Sequence, residues 1–368
     1  MSLNQCSLEK HFTYFSRRPN GILMTRFAEF ECKPAKPSAI QRSADTSSAT
    51  LLDRLPLELL HLICASLDFQ SLSRLSRTSL QIKTIVELLP AYRDLMKYAP
   101  RTLSALGKTK LISLHSSGEL HAALRSADCV SCAEFGTYLF LPTCERVCYG
   151  CLRRNQSFWM IAEATAKKCF KIPQRQLKTI SFTQYVPRHY QNARHGVFGQ
   201  EQRLYAVKSV KRLAILIHGT NRKVTGLLPT RPPPHLANKP LREYYEFKWL
   251  LNAPMEPFQS DPLTIPPDGP IPRNEWFDTA SIYFPHLASE NLLESGLWCR
   301  GCDHLSRNLY LVGPGTLSKL VPRNIKEQEF FNGWKDRART KDNFLKHIQT
   351  CVGVQMLITE PADTSRFR

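Results

Sequence analysis

Leu55-Pro56-Leu57-Glu58-Leu59-Leu60-His61-Leu62-Ile63-Cys64-Ala65-Ser66-Leu67-Asp68-Phe69-Gln70-Ser71-Leu72-Ser73-Arg74-Leu75-Ser76-Arg77-Thr78-Ser79 is the stretch on which the fold turns. Before it, Ser38 to Thr50 is a polar tract without periodicity, which predicts a disordered leader over residues 1–50. From Leu51 the apolar residues fall at helical spacing. Pro56 suits a first turn, where a missing N–H costs nothing, and Glu58 suits the positive helix end. Leu59, Leu60, Ile63 and Leu67 then predict one inward face, and Asp68-Phe69 ends that helix. A second helix is expected over about 70–78 with Leu72 and Leu75 inward. A third, over about 80–89, carries Ile82, Ile85, Val86 and Leu89 and stops at Pro90. A unit of roughly 40 residues buries too little to be very stable alone, so it gains from docking to a partner or to the next segment.

Working outward, short helices are expected over 91–98, 100–106 and 117–126, and longer ones over about 156–170, 200–218 and 341–351. Prolines cluster at Thr230-Arg-Pro-Pro-Pro234 and from Pro254 to Pro272, which read as loops or linkers. A hydrophobic fraction of 42% supports a sizeable core and excludes wholesale disorder. The longest apolar run, Leu213-Ala-Ile-Leu-Ile217, is far short of the roughly 20 residues needed to span a bilayer. Phe12, Tyr14 and Phe15 are interrupted by polar residues and followed by Arg17-Arg18, unlike a signal peptide. An intracellular location, cytoplasm or nucleus, follows as the expectation. In that reducing setting the 12 cysteines read as metal ligands rather than disulfides.

Their spacing supports this. Cys129-x2-Cys132 and Cys148-x2-Cys151 are two knuckles separated by fifteen residues, which matches a four-thiolate structural zinc site. Cys144 lacks an x2 partner and is a spare thiol or an alternative ligand. The intervening Phe135-Gly-Thr-Tyr-Leu-Phe-Leu-Pro142 predicts a strand or hairpin over the metal. A second set joins Cys299-Arg-Gly-Cys302, with Gly301 expected to serve a tight turn, to His347-x3-Cys351, whose four-residue step puts both ligands on one helical face. Together they form a Cys3His site, with His304 as a competing ligand. Cys6 and Cys32 are expected to bind nothing. Both sites are filled by four protein ligands, which leaves no open position for catalysis. No P-loop, dinucleotide glycine signature, H-E-x-x-H or G-x-S-x-G is present, so no enzyme activity is expected.

The order Leu-Pro-x-Glu-Leu at 55–59, then Ile63, Leu67, Leu72, Leu75 and a small polar run ending at Ser79, resembles the F-box motif. An ordinary three-helix piece facing its own domain has similar periodicity, but not these identities in this order. The resemblance implies docking to the Skp-type adaptor of a cullin-based SCF ubiquitin ligase. Leu55, Pro56 and Leu59 would lie at the contact, with Leu72 and Leu75 shaping the same surface. Arg77-Thr78-Ser79 stands where many relatives have Cys-Lys or Cys-Arg, which bears on adaptor affinity. With the cysteine pairs that follow, residues 51–352 are similar to a group of filamentous-fungal F-box proteins, and that similarity does not identify a target.

The expected fold is therefore mainly α with irregular loops and a small zinc-ribbon-like β element. It divides into an F-box over 51–90, a helical linker region over 91–128, a zinc-stapled receptor-like region over 129–352 and a tail over 353–368. The implied role is substrate recognition in ubiquitin-dependent degradation, with an unknown protein target. Net charge is +19, and residues 129–215 hold fourteen Lys and Arg against four Asp and Glu. Such a surface suits acidic partners or nucleic acid. A basic zinc-containing nucleic-acid binder is the alternative, although no aromatic-plus-basic base-reading motif accompanies the charge.

Overall fold

The computed structural model describes residues 12–17, 55–185, 202–229, 231–234, 238–259, 261–263, 276 and 279–359. Helices dominate and the sheets are small. First in chain order are a four-residue helix, α1 (Phe12–Phe15), and a two-residue strand, β1 (Ser16–Arg17). These six residues correct the expectation of a disordered leader at that point: Phe15 is buried, and β1 pairs with a strand near the other end of the chain. The rest of that leader, with Cys6 and Cys32, lies outside the described residues.

The decisive stretch forms α2 (Leu57–Ser66), α3 (Phe69–Leu75) and α4 (Leu80–Leu88). The boundaries have local causes. Pro56 precedes α2, the Asp68 carboxylate accepts from the Ser71 N–H, and the Ser79 hydroxyl accepts from the Ile82 N–H. Leu60, Cys64, Leu72, Ile82, Ile85, Val86 and Leu89 bury one another between the three helices. Here the expected inward face needs correction. Leu60 and Cys64 face in, whereas Leu59 and Ile63 are exposed. Leucines lie on both sides of α2, so spacing alone did not separate the packed face from the open one.

Pro90 opens α5 (Pro90–Tyr98), followed by α6 (Pro100–Lys108) and α7 (Ser117–Arg125), the last held by a capping box between Ser116 and Glu119. Helix α7 lies across the end of α2. The Ser117 N–H donates to Leu67 O at 2.8 Å, and Gly118 packs so closely that an added Cβ would be 3.0 Å from Ala65 O. On their other side these helices contribute Leu95, Ala99, Leu106, Leu120 and Leu124 to a core with Leu139, Phe140, Leu141, Val147 and Phe284. The segment 91–128, expected as a linker, joins the three-helix unit to the rest through continuous packing.

The remainder runs β2 (Tyr138–Phe140), β3 (Glu145–Val147), α8 (Tyr149–Arg154), β4 (Met160–Ala162), α9 (Glu163–Phe170), α10 (Gln174–Leu177), β5 (Thr183–Gln184), β6 (Arg203–Ala206), α11 (Val207–His218), α12 (Asn221–Thr225) and α13 (Asn238–Leu251). It continues with β7 (Ser281–Tyr283), β8 (His286–Ser289), β9 (Leu292–Glu294), β10 (Trp298–Cys299), α14 (Arg300–Arg307), α15 (Pro314–Leu320), α16 (Glu327–Lys335), α17 (Lys341–Thr350) and α18 (Val352–Thr359). Strands β3, β2 and β7 form one antiparallel sheet and β4, β6 and β5 another. The helices expected over 156–170 and 200–218 start only at Glu163 and Val207. Gln156–Phe158 is a short 3-10 turn, and Met160–Ala162 pairs as a strand with Leu204–Ala206 instead, with Met160, Ile161 and Leu204–Ala206 buried. The expected tail from residue 353 also begins in structure, since Gly353 and Val354 of α18 are buried against α14.

Arg146, on β3, is the largest fully buried side chain, with 1% exposure. Its guanidinium donates to Ala123 O, Gly136 O, Phe284 O and Pro285 O, and lies 4.9 Å from the Phe284 ring centroid. Burial pulls its pKa down to about 10. Lys211, also buried, donates to Ala253 O at 2.6 Å, and burial lowers its pKa to about 8. Part of the basic excess in 129–215 is thus spent inside the molecule. Replacing Arg146 with Met strands four carbonyl acceptors. Thermal and denaturant unfolding are expected to show a loss of about 3 kcal/mol or more.

Candidate functional site

The first knuckle leaves α7 through Asp128. Cys129 N donates to Glu134 O at 2.7 Å, Ala133 N returns to Cys129 O at 2.9 Å, and Ala133 takes a left-handed conformation. The Ser131 N–H points at Cys129 Sγ, 3.5 Å away. Val130 N donates to Arg146 O at 2.9 Å, so the knuckle is tied to β3. The second knuckle caps α8: Cys148 Sγ accepts from the Cys151 N–H at 3.3 Å. The β2–β3 hairpin turns between them and brings Cys132 Sγ to 3.6 Å from Cys148 Sγ. All four sulfurs of Cys129, Cys132, Cys148 and Cys151 lie within 4.8 Å of one another. A tetrahedron with metal–sulfur bonds of about 2.3 Å has sulfur–sulfur edges of about 3.8 Å. The four thiols fit that shape.

Their acidities agree with a shared charge. Hydrogen bonds from Cys132, Cys148 and Cys151 hold Cys129 well below an ordinary thiol. Contact with Cys129 pushes Cys148 and Cys151 up. Cys144 stands apart from the group, in the hairpin turn with a left-handed backbone, and burial pushes its thiol up to about 12.

The second cluster is assembled from distant parts. Cys299 ends β10 and starts α14, Cys302 lies in the first turn of α14, His347 is on α17 and Cys351 follows that helix. Cys299 Sγ is 3.9 Å and Cys302 Sγ 3.8 Å from Cys351 Sγ, and Cys302 Sγ is 3.1 Å from His347 Nε2. These four ligand atoms also lie within 4.8 Å of one another, and three of the four residues are buried. Hydrogen bonds from Cys302 and Cys351 hold Cys299 well below an ordinary thiol, whereas contact with Cys299 pushes Cys302 up and raises Cys351 to about 12. His304 is outside the group and has Asn308 Nδ2 at 3.4 Å from its Nδ1. Gly301 has a different purpose from the turn expected of it. Its backbone is not left-handed; an added Cβ would instead lie 2.4 Å from Val354 N. Gly353 meets Gly301 O in the same way. The two glycines let α14 and α18 cross backbone to backbone beside Cys351.

Away from both clusters, α2 presents an apolar face to solvent. Leu57, Leu59, Leu62 and Ile63 are exposed, Leu62 by 68%, and so is Pro56. Leu59, Leu62 and Ile63 share one side of the helix by their spacing. Leu55 and Leu75 are half-buried. Leu72, expected to help shape the contact, has 0% exposure and supports this surface from beneath without forming part of it. Leu80 and Leu88 of α4 are exposed as well.

Residues 52–94 match the family model of the F-box domain. The chain carries an F-box. No curated protein and no solved structure matches it. The F-box match ends inside α5, so the domain includes part of the helix that packs onto α7. Sequence analysis missed Leu57, Leu62, Ile63, Leu80 and Leu88 as exposed F-box residues. The available signal was the surplus of leucines on α2 over what one packed face requires. It also missed the cradle of Arg146, whose partners come from three separate segments.

Each cluster can hold one metal ion, and the thiolate and imidazole donors are those that zinc takes in closed structural sites. Elemental analysis of purified chain is expected to find two metal ions, and one in either Cys129→Ser or Cys351→Ser. Cys144→Ser should keep both. A chelator strong enough to strip both ions should lower the melting temperature, since ligand binding to the folded state adds to its stability.

Proposed function

We propose that this chain is a non-catalytic substrate-recognition subunit of an SCF-type ubiquitin ligase, docked through its F-box to a Skp-type adaptor. The observation that carries this is the open apolar face of α2 within a segment matching the F-box domain. A monomer gains nothing by leaving Leu57, Leu59, Leu62 and Ile63 in water, and a contiguous apolar helix face is what a helical adaptor covers. Leu55, Pro56 and Leu59 form the leading contact, with Leu75 at its edge and Leu72 holding the helices in place.

The two clusters bind structural zinc in this reading. The second ties the last helices to β10, and the first ties the β2–β3 hairpin to α8 and sits on the core that the F-box helices also enter. Direct packing of α7 on α2 fixes the F-box against the remainder. A receptor of this kind works by geometry: a target held by the body is presented at a set distance from the adaptor. Among the described residues no helix is long and apolar enough to cross a membrane.

Leu59→Asp with Ile63→Asp is expected to abolish co-purification of the Skp-type adaptor while leaving the melting temperature within a few degrees of the parent, because both side chains are exposed. Leu72→Ala has the opposite profile. It should destabilise the F-box by about 2–5 kcal/mol through the cavity it leaves. Retention of the adaptor by the double Asp variant overturns the proposed contact.

A further inference from the structure

The segment Thr13–Arg17 lies against the C-terminal body in a manner that resembles a bound peptide. Ser16 and Arg17 pair antiparallel with Cys299 and Trp298 of β10. Phe15 enters an apolar pocket with Phe344, Ile348 and Val354 beside the second cluster. Arg300 donates to Tyr14 O at 3.0 Å and its guanidinium lies 5.0 Å from the Tyr14 ring centroid. Arg17 donates to Lys335 O at 2.7 Å and lies 3.5 Å from Asp336 Oδ1. The recognition elements are a strand edge, an apolar hole for one aromatic ring, and an acceptor corner for a cation two residues later. These are the elements by which an extended peptide adds to a sheet edge.

The fit of the chain's own segment is incomplete. Among the described residues the ladder is two residues long, and the buried Arg17 Nε has no hydrogen-bond partner. At 3.5 Å the Arg17–Asp336 contact is longer than the roughly 2.7–2.9 Å of a strong charge-assisted bond. The segment and the site it occupies belong to one chain, so its binding is intramolecular. Intramolecular binding proceeds at a high effective concentration, so even a modest binder stays in place.

We propose that the β10 edge, the Phe15 pocket and the Lys335–Asp336 corner form a binding site for a linear peptide with an aromatic residue two positions before a cation, and that Thr13–Arg17 occupies it as a displaceable stand-in. The identification of that peptide as part of a ligase substrate rests on the receptor role above; the binding itself does not.

The test uses the chain carrying Phe15→Asp or, as a milder release, Arg17→Glu. The probe is a fluorescent synthetic peptide of the chain's own residues 11–19, with anisotropy as the readout and metal content measured in parallel. Both variants should keep two metal ions and bind the probe at least tenfold more tightly than the parent, and a probe with Phe15→Asp should not bind. Equal binding to parent and variants, or binding to none, overturns the proposal. Loss of the second metal ion from both variants also overturns it, since the segment would then be a fixed cover of that centre. Adaptor co-purification on the same variants reads the F-box function separately, and its absence would count against that function and not against the peptide site.

Discussion

The guanidinium of Arg146 is the point at which the separate parts of this molecule meet. It is buried, and its charge is held by carbonyls from α7, from the loop after the first knuckle and from the turn between β7 and β8, with a smaller favourable contribution from the Asp128 carboxylate. A buried cation so placed is costly unless every acceptor is in position, and the acceptors are costly without it. Its own carbonyl receives the Val130 N–H, and two residues further on is Cys148. Gly136 must lack a side chain because the Arg146 stem occupies that space, where an added Cβ would be 2.5 Å from Cγ. Helix α7, the first cysteine cluster and the β7–β8 turn are therefore joined through one side chain.

The second cluster solves a similar problem at the other end of the body. Its ligands come from β10, α14, α17 and the residue before α18, and the Gly301–Gly353 contact permits the approach of those last helices. Small sheets of two or three strands bury little by themselves. In the zinc reading, the two metal centres supply cross-links where the sheets are too small to hold the loops together. Both lie well inside a helical structure, which suits a scaffold role.

Functionally, the F-box face on α2 and the N-terminal segment on β10 are different kinds of surface. One is an open apolar face within a segment that matches a known domain. The other is an edge already filled by the chain itself, with aromatic, backbone and charged contacts in a row. Packing of α7 on α2 and the Arg146 core link the F-box to the rest of the chain.

The sequence by itself determined the helices of the F-box, the two ligand sets and the β2–β3 hairpin. Each is local in cause: apolar spacing, an Asp or Ser cap, a Cys-x2-Cys knuckle with its N–H···S bonds. The identity of the second set was legible despite a 44-residue gap because Cys-x2-Cys and His-x3-Cys are each half a tetrahedron. Tertiary structure alone decided which side of a leucine-rich helix is open, and that Leu72 is interior while Leu59 is not. It alone converted Met160–Ala162 and Leu204–Ala206 from expected helix to strand, because burial at successive positions removes the face that helical periodicity records. Gly301, Arg146 and Phe15 share the same reason. Their roles depend on partners far along the chain: Val354, more than 50 residues from Gly301, and Phe284 and Phe344, more than 100 residues from Arg146 and Phe15, separations over which no spacing rule operates.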